Sequence, residues 1–231
     1  MIRAVLFDVD GTLYHQAPLR ALMAAELGVA PWTGTLPWRV PRLWRVLSAF
    51  RRVREELRDL GRADGPLAAL QFSHAARRVG VPETEVRDAV NEWIYRRPLK
   101  YLPRVVRGDA RDLFQGLHDR GTAVGVFSDY PVSDKLIAMG LDSYVTLSLD
   151  ATDAAINAFK PHPAGLMHAC NRWGMTPDEV LYVGDRADVD ARAAALAGMP
   201  CAIVGARLLT AADHVGITRL RDVLVLVSGR N

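Results

Sequence analysis

Two carboxylates, Asp8 and Asp10, stand two residues apart at the end of the short apolar run Ile2-Arg3-Ala4-Val5-Leu6-Phe7. The run is bounded by a turn at Gly11 and reads as a buried strand. Strand side chains alternate faces, so the two acids share a direction while the chain stays extended. Carboxylates crowded at the end of a buried strand repel each other unless a cation or a shared proton intervenes. The chemistry that suits the pair is a Mg²⁺ site in which one aspartate is a nucleophile and the other moves a proton. The plainer alternative is an Asx-type turn at a strand end. The same letters open a calcium-loop pattern, but its twelfth position would be Leu19 and no helix precedes it, which sets that reading aside.

Other reactive groups recur at similar edges. Ser128 and Asp129 follow the apolar run 122–127, Lys160 sits in Ala158-Phe159-Lys160-Pro161, and Asp185 follows Val183-Gly184 with Asp188 and Asp190 just beyond. Singly, each has a bland reading: a serine at a strand end, an aspartate capping a turn, a solvated lysine. Together they carry more, because a parallel sheet brings the carboxyl ends of its strands to one crevice, where ligands bind. Tyr130 and His162 are near enough in sequence to reach that crevice, whereas His74 and His118 fall inside helices and read as packed or surface residues. No Ser/His/Asp or Cys/His grouping and no Gly-x-Gly-x-x-Gly fingerprint is present.

The elements that must position these groups follow from periodicity. Residues 19–27 predict a short helix stopped by Gly28, and 30–41 a loop rich in Pro, Gly, Thr and Trp. Pro41 suits the first turn of a helix whose apolar residues recur at Leu43, Leu47, Phe50, Val53, Leu57 and Leu60, ended by Gly61. Helices are expected over 66–79, stopped by Gly80, and over 82–97, closed by Pro98. Beyond Gly108 the rhythm changes to helix 109–120, strand 122–127, helix 133–139, strand 144–149, helix 163–173, strand 180–183, helix 188–197 and strand 201–204. The stretch 217–228 fits helix or strand. This alternation predicts an α/β class, a Rossmann-like parallel sheet covered on both faces, with an all-helical block inserted after the first strand.

Phe-Asp-Val-Asp-Gly-Thr-Leu at 7–13 resembles motif I of the haloacid dehalogenase-like (HAD) hydrolase superfamily. The other motifs follow in order: Ser128 is similar to the hydroxyl of motif II and Lys160, before Pro161, to the lysine of motif III. Gly184-Asp185-Arg186-Ala187-Asp188-Val189-Asp190 resembles the acidic motif IV in its Gly-Asp-Arg form. The resemblance implies a core of residues 1–14 and 99–231 and a helical C1 cap of residues 15–98. It implies that Asp8 attacks phosphorus, that Asp10 protonates the leaving oxygen and then activates water, and that Ser128 and Lys160 bind the phosphoryl group; Thr12 and Asp129, next to these motifs in sequence, are expected to bind phosphate as well. It also implies Mg²⁺ held by Asp8, the Asp10 backbone carbonyl and Asp185, with Asp190 orienting that shell and Asp188 as the extra acid between them. The dehalogenases of the family lack an acid two residues after the nucleophile, so Asp10 favours phosphatase over carbon–halogen chemistry. Residues 150–158 depart from the short loop of acids and glycine that the resemblance leads one to expect before Lys160, which leaves the geometry there open.

The 231 residues suffice for one well-cored domain plus an insertion, or for two small domains. A net charge of +3 is too weak to argue for nucleic acid. Cys170 and Cys201 lack metal-ligand spacing, which points to a reduced, cytoplasmic setting. No leader pattern is seen, and no apolar stretch approaches the ~18 residues of a membrane span. Between Trp38 and Arg62, eight arginines (39, 42, 45, 51, 52, 54, 58 and 62) face Glu55, Glu56 and Asp59, a local balance of +5, with Trp32, Trp38 and Trp44 nearby. This stretch reads as a solvated helix face, as a pocket around Arg45 and Arg52 for a substrate with extra negative charge or a flat ring, or as a surface meeting an anionic membrane or a protein partner. The expectation overall is a Mg²⁺-dependent phosphatase acting on a small phosphorylated metabolite, as a monomer or homodimer. The alternatives are a phosphomutase or diphosphate hydrolase on the same core, and a phosphate-binding module without turnover that acts through its cap.

Overall fold

The computed structural model describes residues 1–29, 39–62, 64–205 and 214–229. Strands β1 (Ala4–Phe7), β2 (Ala123–Ser128), β3 (Leu147–Asp150), β4 (Val180–Gly184), β5 (Cys201–Val204) and β6 (Val215–Ile217) form one sheet in the order β3-β2-β1-β4-β5-β6. Every neighbouring pair is parallel. Parallel pairs need crossovers, and those linking β1 through β5 in chain order are helical. Helix α7 (Ser133–Met139) joins β2 to β3, α8 (Ala164–Trp173) joins β3 to β4, and α9 (Arg192–Ala197) joins β4 to β5. Between β1 and β2 lie α1 (Gln16–Val29), α2 (Arg39–Asp59), α3 (Leu67–Val79), α4 (Glu83–Val90), α5 (Leu102–Val105) and α6 (Ala110–His118), and α10 (Val223–Val227) follows β6. This is the expected α/β class: a Rossmann-like parallel sheet with a helical cap inserted after its first strand.

β1 shows how the sheet is covered. All four of its residues are buried, as a parallel strand covered on both faces requires. Ala4 and Leu6 pack with α8, α9 and the cap residues Phe50, Val53, Phe72 and Trp93, while Val5 and Phe7 pack with α6, α7 and α10. The two-residue alternation of the strand thus divides the apolar core into two layers. The cap shares the first layer, so part of its seat on the core is apolar.

β1 is also where strand order reverses, with β2 on one side and β4 on the other. Phe7 is level with Val126 of β2 and Val183 of β4, so Asp8, Ser128 and Asp185 emerge from adjacent strands along one edge. Such a switch point opens the crevice in which ligands of doubly wound sheets bind.

Several expected boundaries move. α1 is longer than 19–27 and runs through Gly28, and α2 starts two residues before Pro41. Pro98 does not close the last cap helix: after α4 the chain widens over Asn91–Arg96, tightens over Arg97–Tyr101 and runs into α5. Pro98 falls in the first turn of the tight segment, where its missing N–H is not needed. The strand expected over 144–149 begins only at Leu147, after a short 3₁₀ turn at Asp142–Tyr144. The ambiguous end resolves into β6, a 3₁₀ turn and α10. Most of the expected loop 30–41, with Trp32 and Trp38, lies outside the described residues.

Candidate active site

Lys160 is the centre of the crevice. Its side chain is buried, and its ammonium has three donors for three acceptors: Asp8 Oδ1 at 2.5 Å, Asp190 Oδ1 at 2.7 Å and the Tyr182 hydroxyl at 3.1 Å. Burial alone would push the lysine pKa down, but Asp190 and Asp8 overcome it and raise it well above its ordinary value, so the charge persists. The Asp8 carboxyl is raised, first by burial and then by the charges of Asp190, Asp10 and Asp185, with Lys160 opposing. Thr12, fully buried one turn on, donates its hydroxyl to Asp8 Oδ2 at 2.9 Å.

Asp10 does not share that lysine. Its Oδ1 accepts from Lys135 of α7 at 2.5 Å and from the Tyr14 hydroxyl, and its Oδ2 accepts from Ser128 at 2.8 Å. Burial pushes the Asp10 carboxyl up, but the charge and hydrogen bond of Lys135, then Tyr14 and Ser128, bring it below its ordinary value.

On the other side, the first turn of the helical segment after β4 is wide, spanning Ala187–Ala191. It buries Asp190 and leaves Asp188 exposed, paired with Arg186 at 2.6 Å. Asp190 Oδ2 accepts the backbone N–H groups of Asp185 and Arg186 at 3.2 and 3.0 Å. Asp8, Asp185 and Asp190 each offer a carboxylate oxygen within 4.8 Å of the others. The Asp185 carboxyl is raised to about 6 by burial and then by Asp190, and its Oδ1 is buried with no hydrogen-bond partner. Gly11, at φ +105°, faces this carboxylate, and a Cβ there would stand 2.1 Å from Asp185 Oδ2.

The fold therefore gathers Asp8, Asp10, Thr12, Ser128, Asp129, Lys160, Asp185 and Asp190 at one strand edge and leaves Asp188 on the surface. Asp129 is buried and turned toward the cap: its Oδ2 accepts from Arg58 at 2.9 Å and its Oδ1 from the Lys160 backbone N–H at 3.1 Å. His162 lines a cleft of about 450 Å³ between the cap end of α2 and the Arg186–Leu196 side of the core. His74 is half-buried and His118 exposed, each within a helix.

The sequence profile of the haloacid dehalogenase-like hydrolases matches residues 2–198. The chain belongs to that family. Among curated relatives, the phosphoglycolate phosphatase of Haemophilus influenzae (strain 86-028NP) is 29% identical over 206 residues, covering 86% of this chain and 83% of that one. The glyceraldehyde 3-phosphate phosphatase of Methanopyrus kandleri is 29% identical over 212 residues, covering 86% and 82%. Among solved structures, a HAD phosphatase from Thermococcus onnurineus superposes with a TM-score of 0.66 at 23% identity, covering 99% of each chain. A 2-haloacid dehalogenase from Pseudomonas syringae gives 0.66 at 24%, with the same coverage. Both structural matches show the fold.

Sequence reasoning missed Lys135, Tyr14 and Tyr182, and it did not single out Arg54 and Arg58 among the cap arginines. One signal was available for the first. The chain has 26 arginines and only three lysines, Lys100, Lys135 and Lys160. An ammonium is a compact point charge that fits between several carboxylates, where a planar guanidinium does not. In the cap, Arg54 and Arg58 reach the core loops, whereas Arg45 and Arg52 line a separate groove of about 350 Å³ with Ser48 and Arg78. Trp44 is 57% exposed. Among the described residues no helix is long and apolar enough to cross a membrane.

Proposed function

We propose that the chain is a Mg²⁺-dependent phosphatase that hydrolyses the phosphate monoester of a small metabolite through an aspartyl-phosphate on Asp8. The observation that carries this reading is the seat of Asp8 at the end of the central strand, in contact with Lys160 and Thr12, with Asp185, Asp190 and Asp10 in the same crevice. The two phosphatase relatives support it.

The donor set fits a hard divalent cation. All its atoms are oxygens, Asp185 Oδ1 is buried without a partner, and Gly11 leaves open the space a Cβ would fill. We assign Asp8, Asp185 and the Asp10 backbone carbonyl as its ligands, with Asp190, whose two oxygens already accept four donors, orienting that shell. That carbonyl accepts Gln16 Nε2 at 3.1 Å and keeps a second lone pair. Bound there, Mg²⁺ would offset the repulsion between the carboxylates and a phosphate and polarise the phosphoryl oxygens.

The chain's own residues carry the proton and bond changes. An Asp8 oxygen forms a bond to phosphorus as the ester oxygen leaves with its electron pair, and Asp10, entering this step in its acid form although Lys135 favours the carboxylate, gives that oxygen a proton. Asp10 then takes a proton from water, whose oxygen bonds to phosphorus as the Asp8–phosphorus bond breaks. Inorganic phosphate leaves and both aspartates are restored. Lys160 and Ser128 bind the phosphoryl oxygens, and Thr12 orients Asp8. We assign residues 1–14 and 99–231 to this core chemistry and residues 15–98 to the cap, which closes over the leaving group and sets substrate choice.

The test is phosphate release from a panel that includes phosphoglycolate, glyceraldehyde 3-phosphate and a chromogenic ester, with Mg²⁺ or chelator, for wild type and Asp8→Asn. Release that needs Mg²⁺ and vanishes in Asp8→Asn is expected. Release that persists in Asp8→Asn would overturn the assignment of the nucleophile, and no release from any ester by the folded wild type would overturn the phosphatase reading.

A further inference from the structure

Asp129 follows Ser128 at the end of β2, and each of its acceptor groups is engaged. Its backbone oxygen accepts from Arg54 Nη2 at 2.5 Å, its Oδ2 from Arg58 Nη2 at 2.9 Å, and its Oδ1 from the backbone N–H of Lys160 at 3.1 Å. Two of these donors belong to the cap and the third to the lysine at the centre of the crevice. Arg54 and Arg58 are four residues apart on α2 and so lie on one face of that helix.

The grip is wider than three hydrogen bonds. The Arg54 guanidinium lies 4.0 Å from the ring centre of Tyr130 and 4.3 Å from that of Phe159. Tyr130 follows Asp129, and Phe159 precedes Lys160. One cap side chain therefore stands between the loop that carries Ser128 and the loop that carries Lys160. The cap meets the same second loop at another point. Asn157 Oδ1 accepts the Leu67 N–H at 2.7 Å, its Nδ2 donates to the Gly65 carbonyl at 2.9 Å, and Arg62 pairs with Ala158. These contacts fall in and around residues 150–158, the stretch that departs from the family's loop.

We propose that Asp129 is a positioning residue through which the seat of α2 on the core sets the placement of Lys160 and of the Ser128 loop. This rests on the reading of Lys160 and Ser128 as the groups that bind the phosphoryl. A direct part for Asp129 on phosphate is disfavoured, because its carboxylate is negative and both its oxygens already accept donors from the protein. Arg58 holds Oδ2, which leaves Oδ1 directed at the Lys160 N–H. With Arg58 removed, the carboxylate is free to turn, and the Lys160 backbone loses a fixed acceptor.

The experiment uses Arg58→Met, Asp129→Asn, their double variant and the conservative Arg58→Lys, each checked for an unchanged fold by circular dichroism and thermal unfolding. The first readout is amide hydrogen exchange across residues 157–163, which needs no turnover. Arg58→Met is expected to speed exchange there about tenfold, the scale of one lost charge-assisted hydrogen bond. Arg58→Lys should restore most of the protection. The second readout is a kinetic cycle on a chromogenic phosphate ester. Each single change should lower kcat about tenfold with KM nearly constant, and the double variant should fall no further than the worse single, because both act through one carboxylate. Wild-type exchange across Lys160 in Arg58→Met, or kinetic losses that multiply, would overturn the proposal. If the wild type releases no phosphate, the phosphatase reading fails while the exchange measurement still decides the relay.

Discussion

Lys135 Nζ lies 2.5 Å from Oδ1 of Asp10, so the second acid of the Asp-x-Asp pair has a lysine of its own. This contact, with Tyr14 and Ser128, is what holds the Asp10 carboxyl below its ordinary value against the effect of burial. Replacing Lys135 by Met leaves a buried carboxylate with neutral donors only, and its pKa rises. The carboxylate form that accepts a proton from water is then lost at higher pH. Where water attack on the aspartyl-phosphate limits turnover, the acid limb of the kcat profile should therefore move upward, with about a tenfold loss at its former optimum. Lys135→Arg should recover part of the loss. A profile that stays in place would show that Lys135 does not govern Asp10.

Asp185 leads to a prediction about the metal-free protein. Its carboxyl is raised from 3.8 to about 6 by burial and by Asp190. A raised folded-state pKa means the protonated form is favoured by folding. That contribution is complete below the unfolded value and is lost as pH rises through about 6. In chelator, the thermal midpoint should fall between pH 4.5 and 7, and Asp185→Asn should remove about 2–4 °C of that fall, the shift that ~1 kcal/mol produces in a chain of this size. Added Mg²⁺ should raise the wild-type midpoint more at pH 7.5 than at pH 5.5, because the ligands must be ionised. An equal fall in Asp185→Asn would exclude this carboxyl as its source.

The parts legible in the sequence were those with a local signal. β1 and β5 are short apolar runs, and the sequence boundaries of β5 match the structure. Gly80 caps α3 in the left-handed conformation expected of a stop signal. Asp8, Asp10, Ser128, Lys160 and Asp185 could be grouped because each follows a strand or precedes a helix. What escaped depends on contacts between elements distant in sequence. Pro98 looks like a stop in the sequence because its effect depends on whether its N–H is needed, which the widened turn before it settles. β6 is three residues long, too short for any period to show. Lys135 sits in an ordinary amphipathic helix, and only the packing of α7 beside β1 turns it onto Asp10. Arg54 is one of eight arginines in a basic stretch, and its burial becomes visible only when the cap docks on Tyr130 and Phe159.

Gly11 tests the backbone of the site separately from its charges. At φ +105° a side chain is strained, and the Cβ would also press on Asp185 Oδ2. Gly11→Ala should destabilise by about 1–3 kcal/mol from the backbone alone. It should also weaken divalent-cation binding, because the displaced atom is a proposed ligand. Thermal unfolding with and without Mg²⁺ separates the two effects: the midpoint falls in chelator, and the rise on adding Mg²⁺ shrinks. A full Mg²⁺ response in Gly11→Ala would remove Asp185 from the ligand set.

Arg54 supports a prediction of sign between two substitutions. It is 1% exposed and donates to Gln71 Oε1 and the Asp129 carbonyl, both at 2.5 Å, and among the described residues no carboxylate pairs with it. Its charge is balanced by the faces of Tyr130 and Phe159 and by neutral acceptors. Arg54→Met keeps the packing volume and removes the charge, leaving two acceptors without donors at about 1–3 kcal/mol each. Arg54→Lys keeps the charge, but one ammonium cannot span both acceptors or stack between two rings, and it is more strongly hydrated than a guanidinium. The lysine variant then buries a less compensated cation or pays to neutralise it. Arg54→Lys should therefore unfold at a lower temperature or denaturant concentration than Arg54→Met, although by charge it is the more conservative change. The reverse order would mean that charge attraction, and not the guanidinium's shape and hydrogen bonding, seats this part of the cap on the core.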